Sequence, residues 1–137
     1  MFDALVNRDA LEQWLPPGDM SGRFEWFDAR PGGSYRLVLT YHDATDGRGK
    51  SSADTDIVDV RFVDIVVNER VVQTADFVSD DLAFCGTMTA TWSVSAADTG
   101  TRVEIVAENV PDGISAEDHA AGLTSSLENL ARFVEAQ

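Results

Sequence analysis

The chain has 137 residues and carries 24 acidic against 10 basic side chains, so its formal net charge is −14 and its size suits one domain. Hydrophobic residues make up 44 % of the chain, which is enough for a core. We expect no nucleic-acid partner and no attraction to anionic membranes, because the basic residues form no stripe. No signal peptide or apolar run of about 20 residues is visible, so we predict a cytoplasmic protein without membrane insertion.

The sequence also gives little support for a metal or a cofactor, and we expect neither. The single cysteine, Cys85, cannot form an internal disulfide, and we interpret it as a structural thiol. Asp54, Asp56 and Asp59 lack the glycine and the closing glutamate of a calcium loop. The excess of acid has two open explanations, adaptation to high salt or a GC-rich genome.

Two short helices are predicted near the N-terminus. Residues 1–6 continue a helical pattern, and Asp9 with Glu12 has the spacing of a capping box, which makes Asp9 the expected N-cap. The Pro16-Pro17-Gly18 run then ends the second helix.

Alternation of apolar and polar residues between positions 22 and 110 predicts about six strands, each with one buried face. The connections are short, which indicates an antiparallel order. The alternating apolar positions are Phe24 and Trp26; Tyr35, Leu37, Leu39 and Tyr41; Val58, Val60 and Phe62; Met88, Ala90, Trp92 and Val94; Val103, Ile105 and Ala107.

A long helix is predicted over residues 116–136, opened by a capping box of Ser115 and Asp118. Its length of about 31 Å matches that of strands of about ten residues. Such a helix covers the concave face of a curved antiparallel sheet, and this predicts an α+β helix-grip fold.

Five segments carry a family resemblance: residues 2–5 (FDAL), 11–17 (LEQWLPP), 27–35 (FDARPGGSY), 108–111 (ENVP) and 122–130 (GLTSSLENL). They resemble the START-like SRPBCC superfamily, and within it the bacterial family similar to the C-terminal domain of the activator of heat-shock-protein-90 ATPase. The resemblance covers essentially the whole chain. It implies a single domain over residues 1–137 with the fold of START proteins and the birch-pollen allergen.

Members of that family usually begin with a β-strand before the first helix, whereas this sequence opens within that helix. Either the start codon lies upstream of the one used, or a truncation is tolerated. We therefore expect the strand over residues 101–110 to be left as a sheet edge. An open edge favours pairing with a second copy, so a homodimer is one expected assembly.

The resemblance further implies a cavity between sheet and helix, which accepts a hydrophobic small molecule in many relatives and cyclises polyketides in a minority. The alternative is that its lining is simply core. We expect the loops over residues 43–52 and 79–84 to control access. The candidate ligand-binding residues are Trp14, Tyr35, Leu37, Leu39, Phe62, Met88, Trp92, Leu123, Leu127 and His119.

Few polar residues are candidates for chemistry. His119 lies in the first turn of the long helix, where it is either a hydrogen-bonding group of the site or simply exposed. We predict that His42 faces solvent. Asp76 either points inward with a partner or, as we favour, points outward. Tyr35 and Tyr41 complete the set, and we assign no catalytic residue.

Two hypotheses of different classes follow. The first is a non-catalytic carrier or sensor that binds a hydrophobic small molecule or lipid, and it predicts a closed, mostly apolar cavity. The second is a co-chaperone-like interaction module, which predicts a filled core and a contiguous acidic patch for a chaperone partner. A polyketide cyclase-like enzyme is a third hypothesis, and its catalysis would require at least two polar groups that converge in the pocket.

Overall fold

The N-terminal part of the chain forms the two short helices that the sequence predicts. The computed structural model describes residues 2–18, 20–42, 55–79, 82–84, 86–98 and 100–135. A 3-10 helix, Phe2–Leu5, precedes helix α1, Arg8–Trp14. The expected N-cap, Asp9, is wrong. The side chain of Asn7 accepts the hydrogen bond of the Ala10 amide at 3.0 Å, because the helix begins two residues earlier than the capping-box spacing indicates.

The sheet has six antiparallel strands in sequential order within the described chain. They are β1 (Met20–Phe27), β2 (Ser34–Tyr41), β3 (Thr55–Val66), β4 (Arg70–Phe77), β5 (Met88–Ala97) and β6 (Gly100–Glu108). A second 3-10 helix, Leu82–Phe84, lies between β4 and β5. Strand β6 pairs with β5 alone among these strands, so the prediction of a sheet edge there is confirmed.

Two β-bulges change which residues face the core. In β1 the register shifts between Phe24 and Trp26, so Phe24 and Phe27 face inward and Trp26 is 43 % exposed. The expectation that Trp26 shares the buried face with Phe24 is therefore wrong, since an extra residue reverses the alternation. The Trp26 ring instead packs under the guanidinium of Arg36, 4.9 Å from its centre. A second register shift, between Phe62 and Asp64, likewise reverses the alternation of inward and outward residues in β3.

The long helix α2, Ala116–Glu135, crosses the concave face of the sheet and closes the fold. It begins as predicted, with the hydroxyl of Ser115 accepting the hydrogen bond of the Asp118 amide at 3.0 Å. Its second half packs on the core through Leu127, Leu130 and Phe133. The helix-grip α+β fold is thus confirmed. In the described ranges, no helix is both long and apolar enough to cross a bilayer.

The long helix is also attached to the segment that follows α1. The hydroxyl of Ser126 donates to the Leu15 carbonyl at 2.6 Å, and the amide of Asn129 donates to the Pro16 carbonyl at 2.9 Å. The Gly18 amide in turn donates to the hydroxyl of Ser125 at 3.1 Å. These three bonds fix the middle of α2 relative to the segment between α1 and β1. An open space lies under the first half of the helix.

A cavity between the sheet and the C-terminal helix

A cavity of about 900 Å³ lies between the concave face of the sheet and the first half of α2. Its wall is mostly apolar, because the inward positions of β2 to β6 alternate as the sequence predicts. The strands contribute Tyr35, Leu37, Leu39, Tyr41, Asp56, Val58, Val60, Gln73, Ala75, Phe77, Met88, Ala90, Trp92, Ile105 and Ala107. The helix contributes Asp118, His119, Ala121, Gly122, Leu123, Ser125 and Ser126.

Seven of the ten candidate ligand-binding residues line this cavity: Tyr35, Leu37, Leu39, Met88, Trp92, Leu123 and His119. The other three, Trp14, Phe62 and Leu127, lie in the core outside it. Trp14 is fully buried, packs edge to face on Trp92 with ring centres 5.4 Å apart, and donates its indole N–H to the Ala4 carbonyl at 2.8 Å. Leu130 is a core residue and Leu127 packs against the core, and neither lines the cavity, so the open space ends before them.

The cavity is partly open to solvent, whereas the ligand-carrier hypothesis predicts a closed one. The loop over residues 43–52 lies outside the described residues, as do positions 80, 81 and Cys85. Of the second predicted access loop, Phe84 lines the cavity and Leu82 is 85 % exposed.

The outer end of the cavity contains a buried carboxylate that the sequence reasoning missed. Asp56, on β3, is only 3 % exposed, and it accepts a hydrogen bond from the hydroxyl of Tyr41 at 3.3 Å. A buried carboxylate requires such partners, because burial otherwise disfavours its charge. The signal was present in the sequence: Asp56 has the same parity as Val58 and Val60, which puts all three on one face.

A second polar pair lies at the inner end, where Tyr35 on β2 meets Gln73 on β4. Burial raises the pKa of Tyr35 to about 12, and a hydrogen bond with the side chain of Gln73 offsets part of that rise. Both residues also line a hollow of about 10 Å³ that Leu11 and Trp14 close on the core side. Gln73 was not predicted, although its parity with Val71 and Ala75 places it on the inward face.

The remaining polar candidates differ in whether they face the cavity or the solvent. His119 is half-buried and lines the cavity, as does Asp118. His42 is exposed, as predicted, and its ring forms a hydrogen bond of 2.7 Å with the hydroxyl of Ser21. Asp76 points outward, as favoured, and accepts from the hydroxyl of Thr87 at 2.7 Å. Across the residues that the structure describes, no three His, Cys, Asp or Glu side chains come together as metal ligands.

Comparison with known proteins finds one matching family, described as activator of Hsp90 ATPase homolog 1-like protein, over residues 1–135. The fold is similar to a crystal structure from Chromobacterium violaceum, with 30 % identity and a TM-score of 0.85, over 98 % of this chain and 86 % of that one. A solution structure from Arthrobacter aurescens has 17 % identity and a TM-score of 0.78, over 99 % and 78 %. A crystal structure from Rhodobacter sphaeroides has 18 % identity and a TM-score of 0.76, over 98 % and 82 %. No curated protein matches the sequence.

Proposed function

The chain belongs to the family of activator of Hsp90 ATPase homolog 1-like proteins, and we propose that this member binds a hydrophobic small molecule or lipid in the cavity under α2. The observation that carries the proposal is the cavity itself. Its volume of about 900 Å³ lies at the upper end of the range for ligand pockets, about 300–1,000 Å³. The side chains around an unfilled apolar space of that size lack packing contacts on one side, and a bound ligand would supply those contacts.

The energetics favour an apolar occupant. The wall combines aliphatic residues such as Leu37, Val60 and Ile105 with the ring of Trp92. Each apolar Å² that a ligand removes from water contributes about 25 cal/mol. The few polar groups, at the two ends of the cavity, would orient the ligand rather than supply most of the affinity.

The co-chaperone-like alternative is less well supported, because it predicts a filled core. A polyketide cyclase-like activity requires polar groups that converge on a substrate, and Tyr41 with Asp56 is a pair of that kind. A buried carboxylate needs a hydrogen-bond donor whether or not it takes part in catalysis, so this pair does not by itself indicate an active site. Binding without catalysis therefore remains the proposal.

The test uses Nile red, a neutral apolar dye whose fluorescence rises on transfer from water to an apolar site. Ala90 is 5 % exposed and lines the cavity, so Ala90→Phe places a ring inside it. Ala96, on the same strand, is exposed, and Ala96→Phe is the matched control. We expect saturable binding by the wild type and by the Ala96 variant, and a loss of at least tenfold in affinity for the Ala90 variant. Equal binding by all three proteins, or none by the wild type, would overturn the proposal.

A further inference from the structure

The charges around the cavity restrict the kind of ligand that it accepts. The ionisable side chains of its described wall, apart from the two tyrosines, are Asp56, Asp118 and His119, and no Lys or Arg is among them. The chain as a whole has a net charge of −14. A carboxylate or phosphate group brought into this space would be repelled by Asp56 and Asp118, and His119 is the one side chain of the described wall that can carry a positive charge to offset this repulsion.

The inner end of the cavity, in contrast, has hydrogen-bonding capacity to spare. A glutamine side chain has two N–H donors and a carbonyl oxygen that accepts two bonds, while a tyrosine hydroxyl donates one bond and accepts others. Tyr35 and Gln73 both line the cavity, and a hydrogen bond between them would use only part of this capacity. Gln73 is half-buried and lines the cavity, so its amide is accessible to a bound molecule.

The inner pair is well separated from the acidic end. Gln73 pairs in register with Phe62 on β3, and Phe62 lies six residues from Asp56 along the same strand. At about 3.3 Å per residue, Gln73 lies roughly 20 Å from Asp56 along the sheet, and Tyr35, which pairs with Val60, lies roughly 13 Å from it. The cavity between them is lined by Val58, Val60 and Ala75, which form no hydrogen bonds with a ligand through their side chains.

We infer that Tyr35 and Gln73 form a subsite for one neutral oxygen, a hydroxyl or a carbonyl, of an otherwise apolar ligand. The ligand class is thus a neutral alcohol, phenol or ketone, and fatty acids and other carboxylates are rejected. This inference rests on the proposed function and adds the polarity of the ligand to it.

The test compares three ligands that share one ring system: naphthalene, 2-naphthol and 2-naphthoate at pH 7, each by displacement of Nile red. The wild type should bind 2-naphthol about fivefold more tightly than naphthalene, which corresponds to one net hydrogen bond of about 1 kcal/mol. Binding of 2-naphthoate should be at least tenfold weaker than that of naphthalene.

Gln73→Leu keeps the size of the side chain and removes its hydrogen bonds, so it should reduce the preference for 2-naphthol over naphthalene to about one. Tyr35→Phe should reduce the same preference and serves as an independent variant if Gln73→Leu folds poorly. Thr74→Val is the control, because Thr74 follows Gln73 on β4 and points to the opposite face. It should leave the preference unchanged.

The outcomes separate the two proposals. If naphthalene binds but 2-naphthol gains nothing, or if 2-naphthoate binds as well as the others, the subsite is wrong and the proposed function stands. If the preference for 2-naphthol survives both Gln73→Leu and Tyr35→Phe, the subsite is likewise wrong. If none of the three ligands binds and Nile red does not bind either, the proposed function is wrong, and this inference, which depends on it, is wrong as well.

Discussion

The hydroxyl of Ser126 donates a hydrogen bond of 2.6 Å to the carbonyl of Leu15, and this contact joins the long helix to the segment after α1. Ser126 is 6 % exposed, although it lines the cavity, so the bond lies in a largely buried part of the fold. It lies where the open cavity under α2 gives way to close packing at Leu130. The bond therefore stabilises the helix beside the part of the fold that is least filled.

Removing that hydroxyl should destabilise the domain. Ser126→Ala leaves the Leu15 carbonyl without this donor, and we expect the free energy of unfolding to fall by about 1 kcal/mol. The measurement is urea denaturation followed by circular dichroism. Thr124→Ala, at an exposed position of the same helix, is the control and should cost nothing. Equal stability of wild type and Ser126→Ala would mean that the contact contributes nothing to the fold.

The turn between β1 and β2 allows a second prediction. A Cβ atom added at Gly33 would lie 2.2 Å from the Asp28 carbonyl, closer than atoms can approach. Gly33→Ala should therefore reduce the free energy of unfolding by about 2 kcal/mol or more. Gly122, in α2, has nothing within 4 Å of the same position, so Gly122→Ala should stabilise the helix by about 0.5–1 kcal/mol. Thermal denaturation of both variants checks the prediction, and a stable Gly33→Ala protein would contradict it.

The raised pKa of Tyr35 predicts a stability change at high pH. In the unfolded chain this hydroxyl loses its proton near pH 10, whereas in the folded protein burial holds its pKa at about 12. The unfolded state therefore gives up the proton first, and stability falls as pH rises from 10 to 12.

At pH 11 this effect amounts to about 1 kcal/mol. Tyr35→Phe removes it, so the variant should lose about that much less stability than the wild type between pH 9 and pH 11. Urea denaturation at both pH values measures the difference. Parallel losses in the two proteins would show that Tyr35 titrates normally.

The open edge of β6 leads to a prediction about assembly. Val106 is 53 % exposed on this strand, and an unpaired edge of this kind favours pairing with a second copy. We expect a dimer at high protein concentration by light scattering, and we expect Val106→Lys to weaken it at least tenfold. Val67→Lys is the matched control, because Val67 is 72 % exposed in the turn between β3 and β4. A wild-type monomer at every concentration would contradict the prediction.

The alternation of residues predicted most of the fold and much of the cavity wall. The period of two correctly placed Tyr35, Leu37 and Trp92 on the inward face, because that period depends only on the geometry of a strand. It failed at Trp26, since a bulge inserts one residue and reverses the alternation beyond it. No local pattern in the sequence predicts that bulge.

The polar groups of the cavity were harder to predict than its apolar wall. Asp56 and Gln73 have inward parity, but their residue types favour solvent, and so neither was proposed. Trp14 and Leu127 were predicted to line the cavity, yet both are core residues outside its wall. How far a helix stands from a sheet depends on the combined volume of many side chains, which no short segment of sequence specifies.

The measurement that tests the central claim most directly is native mass spectrometry of the protein purified gently from its own host. We predict a reproducible extra mass of a few hundred daltons on the wild type and on Ala96→Phe, absent from Ala90→Phe, and belonging to a molecule without a carboxylate or phosphate. An unmodified mass for the wild type, together with no uptake from a library of neutral lipids and aromatic compounds, would contradict the account.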